Sequence, residues 1–395
     1  MKKQKQAVIY GAGNIGRGFI GQLFYEAGYE TAFIDIDKDL INMLNEKKEY
    51  PINFVDNNSS HEIMIKNARG IDGSPENSDE IADAISKADI MAVSVGANIL
   101  KFIMEPIAGG INKRFADGNL APLNIIMCEN LIGADKVMRD GVGAIVLDRP
   151  QYEEKIGFIQ ASVARMVPTQ TDETKGGNPL RIVSEDYKYL YIDKDEIKGE
   201  FPEIKNIIAY SPFQYYIERK LYINNMGHAV CAYLGDISGY EYIWQAIQDP
   251  HIKEITEKAM QYSGMALEKK YKNIGFDYSY TDDLIHRFEN KALGDTVARV
   301  GADLKRKLAM GDRITGVLRL MITYSLPVKY MCLTIAAATN FKSDKLSGQS
   351  LEEILKEAGS YDYISGNPEA LSLITQMDKG IKSGMNIKEL LEKFL

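Results

Sequence analysis

The feature that most constrains the fold of this chain is a glycine-spaced turn near the start of the sequence. A short apolar run, residues 7–10, leads into the pattern Gly-x-Gly-x-x-Gly, with its glycines at Gly11, Gly13 and Gly16. An amphipathic run follows, and then a second apolar run, residues 31–34, ends at Asp35. This order predicts a strand, a tight turn, a helix and a second strand that ends in an acid, which is how a doubly wound parallel sheet begins.

The same residues are suited to hold a dinucleotide. Gly11 permits the tight turn, Gly13 lets the backbone approach a pyrophosphate, and Gly16 lets the helix pack close to the sheet. The helix begins at about Asn14 and Ile15, where free backbone N–H groups face an anion. Asp35 lies about 20 residues beyond the last glycine, where a carboxylate binds the ribose 2′-hydroxyl and would repel a 2′-phosphate. The pattern therefore favours NAD over NADP, while FAD shares the same fingerprint.

Two charged residues beside this motif allow more than one interpretation. Arg17 lies near the expected phosphates by position, but a solvated arginine fits the pattern equally well. Asp37 fits the cap of a helix beginning near Lys38 better than a contact with the cofactor.

The rest of the chain predicts two domains. Apolar runs at 90–96 and 123–128 are typical of strands buried in a parallel sheet, and Gly96 and Asn130 follow at their carboxyl ends, where ligands bind in such folds. Helical periodicity dominates beyond about residue 198. We expect a Rossmann-type NAD-binding domain over 1–195 and a mainly α-helical substrate-binding and catalytic domain over 196–395, with the substrate in a cleft between them.

Composition narrows the class of protein. The 395 residues carry a formal net charge of −8, which argues against a generic surface for nucleic acid or anionic membrane. No apolar run is long enough to span a bilayer or resembles a signal sequence, so we expect a cytoplasmic protein. The three cysteines are far apart in apolar contexts, which predicts buried thiols, and the four histidines have no metal-site spacing, so we expect no metal. The sequence leaves the oligomeric state open, a monomer included.

The segment 215–228 concentrates the polar groups that alcohol oxidation requires. It places Lys220, Asn225 and His228 among aromatic and aliphatic residues, where desolvation disfavours a charged lysine and favours its use as a base. On a straight helix, Asn225 lies about 140° and His228 about 80° from Lys220, so the three share one side. His228 lies about 12 Å further along the axis than Lys220, which is too far for both to serve one small oxygen. We therefore expect a break or distortion near 224–227, with Gly227 as its natural place. The alternative is a buried helix with a snorkelling lysine and a core histidine.

These motifs together resemble the metal-independent long-chain polyol dehydrogenases, the mannitol dehydrogenase family. Within that family the glycine run is most similar to that of the mannitol-1-phosphate 5-dehydrogenases. The resemblance continues nearly to the end of the chain through the runs 124–130, 165–168, 218–221, 225–229, 287–290 and 307–313. The family motif is a lysine, an asparagine five positions later and a histidine three positions further, which Lys220, Asn225 and His228 match.

The resemblance implies a role for each residue. Lys220 is expected to be the general acid and base, Asn225 to donate to the partly anionic oxygen, and His228 to orient the substrate. Asn130 is expected either to join Asn225 in this oxyanion role or to position the nicotinamide. The implied reaction is the NAD-dependent interconversion of D-mannitol 1-phosphate and D-fructose 6-phosphate. Its phosphate would need cations, and the sequence suggests Arg287, Arg299 and Arg313, in the chain's clearest basic concentration.

Two alternatives remain at this point. The first keeps the chemistry and replaces the substrate with an unphosphorylated polyol or aldonate. The second is a non-catalytic NAD-binding regulatory protein that has kept the fold.

Overall fold

The computed structural model describes residues 4–57, 59–129, 131–168, 170–272, 274–342 and 345–395. These residues form two compact units, one that ends at Gln214 and one that begins at Tyr215. The strands all lie in the first unit: β1 Lys5–Tyr10, β2 Tyr29–Asp35, β3 Glu49–Val55, β4 Ser60–Lys66, β5 Ala68–Asp72, β6 Ile90–Val93, β7 Leu123–Met127, β8 Ile156–Val163, β9 Ile182–Ser184, β10 Leu190–Asp193 and β11 Ile207–Tyr210.

An eight-stranded sheet forms the centre of the first unit, in the order β11-β10-β8-β7-β6-β1-β2-β5. Every neighbouring pair from β8 to β5 is parallel. Numbered along the chain within this set, the strand order is 3-2-1-4-5-6, that of the dinucleotide-binding Rossmann fold. The strand order reverses between β1 and β6, so ligands are expected at the carboxyl ends of these two strands.

Both faces of this sheet are buried, which explains why its strands read as continuous apolar runs. Because side chains alternate along a strand, Val8 and Met91 pack on one face, whereas Ile9 and Ala92 pack on the other. The first face is covered by the helices Ser78–Lys87, Leu100–Ala116 and Ala134–Gly143. The second is covered by the helical segment formed by Gly16–Ile20 and Gly21–Glu26, and by a small sheet of order β4-β3-β9. The remaining helices of this unit are Lys38–Lys47, Arg149–Lys155 and Asp172–Lys175.

The second unit is helical in its described residues, apart from an isolated bridge between Tyr242 and Thr296. The chain enters it through a helical segment, 214–237, that the next section describes. The helices that follow are Ile243–Ala246, Pro250–Lys270, Ser279–Phe288, Val297–Gly301, Leu304–Lys307, Thr315–Thr323, Lys329–Thr339, Leu351–Glu357, Tyr361–Ser365, Pro368–Lys382 and Ile387–Phe394. The expected Rossmann-type sheet followed by a mainly α-helical region is therefore confirmed.

Several local predictions can be compared with these elements. Cys128, Cys231 and Cys332 are buried, as their apolar contexts predicted. Helical periodicity beyond residue 198 did not reveal β11, which pairs in parallel with β10 and extends the large sheet to Tyr210. A four-residue strand of this kind depends on its distant partner rather than on its own sequence. Among the described residues, no helix combines the length and apolar character that a membrane span requires.

Candidate functional site

The glycine turn has the steric properties that its sequence predicted. Gly11 has a φ of +100°, and a Cβ atom there would lie 2.5 Å from the Ser94 carbonyl oxygen. A Cβ atom at Gly16 would lie 2.1 Å from the Gly11 carbonyl oxygen. At Gly13, by contrast, a Cβ atom would meet no described protein atom within 4 Å. Gly11 and Gly16 are therefore required by the fold, whereas the open side of Gly13 is available to a ligand.

The helix after this turn begins at Asn14 and contains a π-helical turn, Gly16–Ile20, before the α-helix Gly21–Glu26. Asn14 is exposed and Ile15 is partly exposed, whereas the residues of the π turn are buried. The first backbone N–H groups of the helix therefore lie at the surface, where an anion can reach them.

Asp35 lies at the end of β2, directly beside the glycine turn. One carboxylate oxygen accepts a hydrogen bond from the Ala12 N–H at 2.7 Å, and the other accepts one from the Asp37 N–H at 3.1 Å. Asp37 in turn accepts the Leu40 N–H at 3.0 Å, so it caps the helix Lys38–Lys47 as its position predicted. This geometry is compatible with a ribose beside Asp35, and the cofactor contacts of the glycines, Asn14, Ile15 and Asp35 stay predictions.

Arg17 is buried rather than solvated, in contrast to one of the two interpretations of its sequence position. Its Nε donates to the Ala12 carbonyl at 2.7 Å, and its Nη1 donates to the Leu180 carbonyl at 2.6 Å. The guanidinium therefore stabilises the glycine turn through a buried hydrogen bond to the Ala12 carbonyl.

Glu129 is a residue at this edge that sequence reasoning missed. It follows β7, and its Oε1 accepts the N–H of Val95 at 2.7 Å and that of Gly96 at 3.1 Å. Burial raises the pKa of this carboxyl group, and the two backbone hydrogen bonds oppose that shift. The available signal was an acid directly after a buried strand. Its neighbour Asn130 lies outside the described residues, so the role expected of it stays a prediction.

In the second unit, the segment 214–237 is helical throughout but changes type twice. The α-helix Gln214–Arg219 is followed by a π-helical turn, Lys220–Asn224, and then by the α-helix Asn225–Ile237. The Asn225 N–H donates to the Lys220 carbonyl, which is the i→i+5 hydrogen bond of a π turn. The distortion therefore begins at Lys220, one turn earlier than the sequence suggested.

Gly227 is not the cause of this distortion, and the prediction that placed it there is wrong. It lies within a regular α-helix, and a Cβ atom there would lie 2.4 Å from the Met260 sulfur. The glycine therefore allows close packing against the helix Pro250–Lys270.

The π turn brings the three predicted catalytic residues closer together around the helix axis. A π turn accommodates one extra residue, which rotates every later residue back by about 100° relative to an uninterrupted α-helix. Relative to Lys220, Asn225 then lies at about +40° and His228 at about −20°, rather than at about 140° and 80°. Burial agrees with this estimate, because Asn225 and His228 are the only residues of 222–230 that are not buried.

His228 is held between a ring and a carboxylate. Its imidazole stacks on Phe288 with 4.8 Å between the ring centroids, and its Nε2 lies 3.3 Å from Oδ2 of Asp295. Burial lowers the pKa of His228 to about 4, against the opposing effect of Asp295, and the positive charges of Arg299, Arg313 and Lys307 lower it further. The imidazole is therefore neutral near pH 7. Asp295 was missed because an isolated acid in a polar stretch resembles any surface acid.

The cations that lower the pKa of His228 also form ion pairs or hydrogen bonds with other groups. Arg299 donates to Asp295 and is 59% exposed, whereas Arg313 is 14% exposed and donates from Nε to Asp312 at 2.8 Å. Lys307 is buried and donates to the carbonyl groups of Val300, at 2.6 Å, and Ala302. Desolvation, together with Arg313 and Arg306, lowers the pKa of Lys307 to about 8.

Arg287, the third predicted phosphate ligand, lies buried on the helix Ser279–Phe288. Its guanidinium lies 3.6 Å from Asp283, and the next residue, Phe288, is the ring that stacks on His228. The positive charges of Arg299, Arg313 and Lys307 all lower the pKa of His228. The assignment of Arg287, Arg299 and Arg313 to a substrate stays a prediction.

Comparison with known proteins supplies the family. The mannitol dehydrogenase Rossmann domain matches residues 5–206, and the mannitol dehydrogenase C-terminal domain matches residues 213–388. The chain belongs to the mannitol dehydrogenase family. The expected enzyme class, an NAD-dependent polyol dehydrogenase, is thereby confirmed at the level of the family, and the non-catalytic alternative is wrong.

Two solved structures share the fold at low sequence identity. A D-sorbitol dehydrogenase in substrate-free form has a TM-score of 0.82 at 16% identity, covering 96% of this chain and 95% of that chain. Pseudomonas fluorescens mannitol 2-dehydrogenase, in a ternary complex with NAD and D-mannitol, has a TM-score of 0.72 at 15% identity, covering 99% and 95%. At this identity the likeness supports the fold and leaves the substrate of this chain open.

Proposed function

We propose that this chain interconverts D-mannitol 1-phosphate and D-fructose 6-phosphate with NAD, using Lys220 as the acid and base. The phosphate is supported by the cations near His228: Arg299 pairs with Asp295, which also lies 3.3 Å from the imidazole, and the positive charges of Lys307 and Arg313 lower the pKa of His228. A neutral polyol needs hydrogen bonds from its site, but it does not need this concentration of positive charge.

The residues of the first unit fit NAD. The open side of Gly13, the exposed start of the helix at Asn14 and the carboxylate of Asp35 suit the pyrophosphate and a ribose without a 2′-phosphate. When bound, NAD accepts the hydride, so that the alcohol becomes a ketone and one proton is released.

The residues of the second unit would transfer the proton, stabilise the charged oxygen and orient the substrate. Lys220 accepts the proton of the substrate hydroxyl during oxidation and returns it during reduction, which contributes typically ~10²–10⁴-fold. Asn225 donates from its amide to the same oxygen as negative charge develops there. His228, which is neutral, hydrogen-bonds another hydroxyl group. An extended polyol is long enough to contact residues that are spaced along one side of a helix.

A second candidate substrate is an unphosphorylated polyol or aldonate. The observation that favours it is that Arg299 and Arg313 each already pair with an aspartate, Asp295 and Asp312. The two structural neighbours, a D-sorbitol dehydrogenase and a mannitol 2-dehydrogenase bound to D-mannitol, are also named for unphosphorylated polyols.

Substrate turnover distinguishes the two candidates. We expect kcat/KM with NAD to be roughly 10- to 100-fold higher for D-mannitol 1-phosphate than for D-mannitol, from one charge-assisted contact of about 1.5–3 kcal/mol. Efficient oxidation of D-mannitol or an aldonate, with no turnover of the phosphate, would replace our assignment with the second candidate.

Charge-removing variants test which cations contribute. We expect Arg313→Gln and Arg299→Gln to raise KM for the phosphorylated substrate while leaving KM for NAD unchanged. Lys305→Gln is the matched control, because Lys305 is an exposed residue of the same basic segment and its substitution removes the same unit of charge. An equal rise in KM for all three variants would mean that only the overall charge matters.

A further inference from the structure

A buried serine contacts the π turn that begins at Lys220, and no step of the proposed reaction uses it. Ser263 lies on the helix Pro250–Lys270 and is fully buried. Its Oγ donates a hydrogen bond of 2.7 Å to the backbone carbonyl of Tyr222, inside the π turn. The helix that carries Ser263 packs against both the π turn and the helix Asn225–Ile237.

A hydrogen bond at this place bears directly on the type of helix. A π turn replaces i→i+4 hydrogen bonds with i→i+5 hydrogen bonds, which disturbs the regular pairing of carbonyl groups with N–H groups. Side chains that insert into this ladder are a recognised cause of helix distortion. The Ser263 hydroxyl adds a hydrogen bond to a carbonyl group inside this distorted part of the ladder.

Tyr222 is held at its other end as well. Its hydroxyl group donates to the Gly311 carbonyl at 3.2 Å, and a Cβ atom at Gly316 would lie 3.0 Å from its ring. The π turn is thereby attached to the helix of Ser263 through its backbone, and to the segment that carries Arg313 through its side chain.

We propose that Ser263 is a positioning residue for the reaction. Its hydroxyl holds the π turn Lys220–Asn224 and so keeps Lys220 on the side of the helix that carries Asn225 and His228. This inference rests on the proposed roles of these three residues. If the turn relaxed to a regular α-helix, Lys220 would rotate by about 100° relative to Asn225 and His228, and the arc that the three residues span would widen from about 60° to about 140°.

The same helix provides a matched control. Thr256 lies seven residues before Ser263, about two turns away, and is also fully buried. Within the described residues its Oγ1 has no hydrogen-bond partner. Thr256→Val therefore removes a buried hydroxyl group from the same helix without removing a hydrogen bond to the π turn.

The test compares Ser263→Ala, Ser263→Cys and Thr256→Val as full-length proteins, with NAD and whichever polyol substrate the wild type oxidises fastest. We expect Ser263→Ala to lower kcat roughly 10- to 100-fold, since a displacement of only about 1 Å can cost about 100-fold, with the NAD dissociation constant unchanged. The pH dependence of kcat should shift as well, because the surroundings of Lys220 change. Ser263→Cys, which keeps the size but donates weakly, should lose less activity than Ser263→Ala. Thr256→Val should stay within twofold of the wild type.

Two results would overturn the inference. One is a kcat for Ser263→Ala within twofold of that for Thr256→Val. The other, if Ser263→Ala does not fold, is a Ser263→Cys protein with wild-type kcat and pH dependence. Lys220→Ala, assayed in parallel, separates the two proposals. An active Lys220→Ala protein would remove the proposed mechanism and this inference together, whereas an inactive one beside a fully active Ser263→Ala would remove this inference alone.

Discussion

A π-helical turn lies at the candidate functional segment of each unit, and different side chains bind the two turns. In the turn Gly16–Ile20, the Arg17 carbonyl accepts from the Tyr50 hydroxyl at 2.9 Å, and the Gly18 carbonyl accepts from Arg165 at 2.7 Å. In the turn Lys220–Asn224, the Tyr222 carbonyl accepts from Ser263 at 2.7 Å. Two large side chains, Tyr50 and Arg165, therefore bind carbonyl groups of the first turn, whereas the small side chain of Ser263 binds a carbonyl group of the second.

The difference follows from what each turn carries. All five residues of the first turn are buried, so it shapes the helix behind the glycine turn without presenting a side chain to a ligand. The second turn begins at a partly exposed lysine and is followed by the two partly exposed residues Asn225 and His228. The same kind of turn thus lies behind the candidate binding surface in the first unit and sets the direction of the candidate catalytic side chains in the second.

The sharpest test of this contrast is Lys220→Ala. We expect kcat to fall by about 10²–10⁴-fold, because the general base is lost, while the NAD dissociation constant stays within twofold of the wild type. Steady-state kinetics measures kcat, and a fluorescence titration with NAD measures the dissociation constant. A variant that lost NAD binding and activity together would show that the second turn does not act on chemistry alone.

The sequence predicted the first of these regions far better than the second. The glycine turn could be recognised because Gly11 and Gly16 each meet a local requirement, a positive φ or a close approach of backbone, within a few residues. Lys220, Asn225 and His228 were found through spacing and resemblance, but on a straight helix they spread over about 140° of its surface. What aligns them is a π turn, and the hydrogen bond inside it comes from Ser263, 41 residues away in sequence.

Residues whose function depends on distant partners were missed for the same reason. Glu129 and Asp295 resemble ordinary surface acids until the fold places them beside the N–H groups of Val95 and Gly96 and beside His228. Arg17 was expected at the phosphates or in solvent, and the fold instead buries it against two carbonyl groups. Local pattern predicts which elements form, whereas the pairing of polar groups depends on the complete fold.

Lowering the pH should change the contribution of His228, which follows the second turn, to the free energy of unfolding. The folded pKa of His228, about 4, is below its usual 6.5, chiefly because of burial. The resulting stability is present above pH 6.5 and is lost as the pH falls through 4, a change of roughly 3 kcal/mol at most. We expect the difference in free energy of unfolding between wild type and His228→Gln to shrink over this window, as measured by urea unfolding. A difference that is independent of pH would contradict the low pKa.

A methyl group at Gly13 should affect binding without affecting the fold. Because a Cβ atom there meets no described protein atom within 4 Å, Gly13→Ala should unfold at the wild-type temperature. It should weaken NAD binding roughly 5- to 100-fold, from a clash of about 1–3 kcal/mol with the pyrophosphate. Gly11→Ala is the contrasting control, because its φ of +100° and its contact with Ser94 should destabilise the fold itself. Unchanged NAD affinity in Gly13→Ala would move the pyrophosphate away from this turn.

The smallest expected effect is that of Tyr50→Phe, which removes the hydroxyl group from the first turn as Ser263→Ala removes one from the second. The loss of one buried hydrogen bond should cost about 1 kcal/mol of stability. Arg165 still donates to the Gly18 carbonyl and Arg17 still braces the Ala12 carbonyl, so we expect kcat and the NAD dissociation constant to change less than threefold. Thermal unfolding and NAD titration provide the two measurements. A tenfold loss of kcat in Tyr50→Phe would mean that both turns control side-chain direction, because the first turn carries no residue assigned to the chemistry.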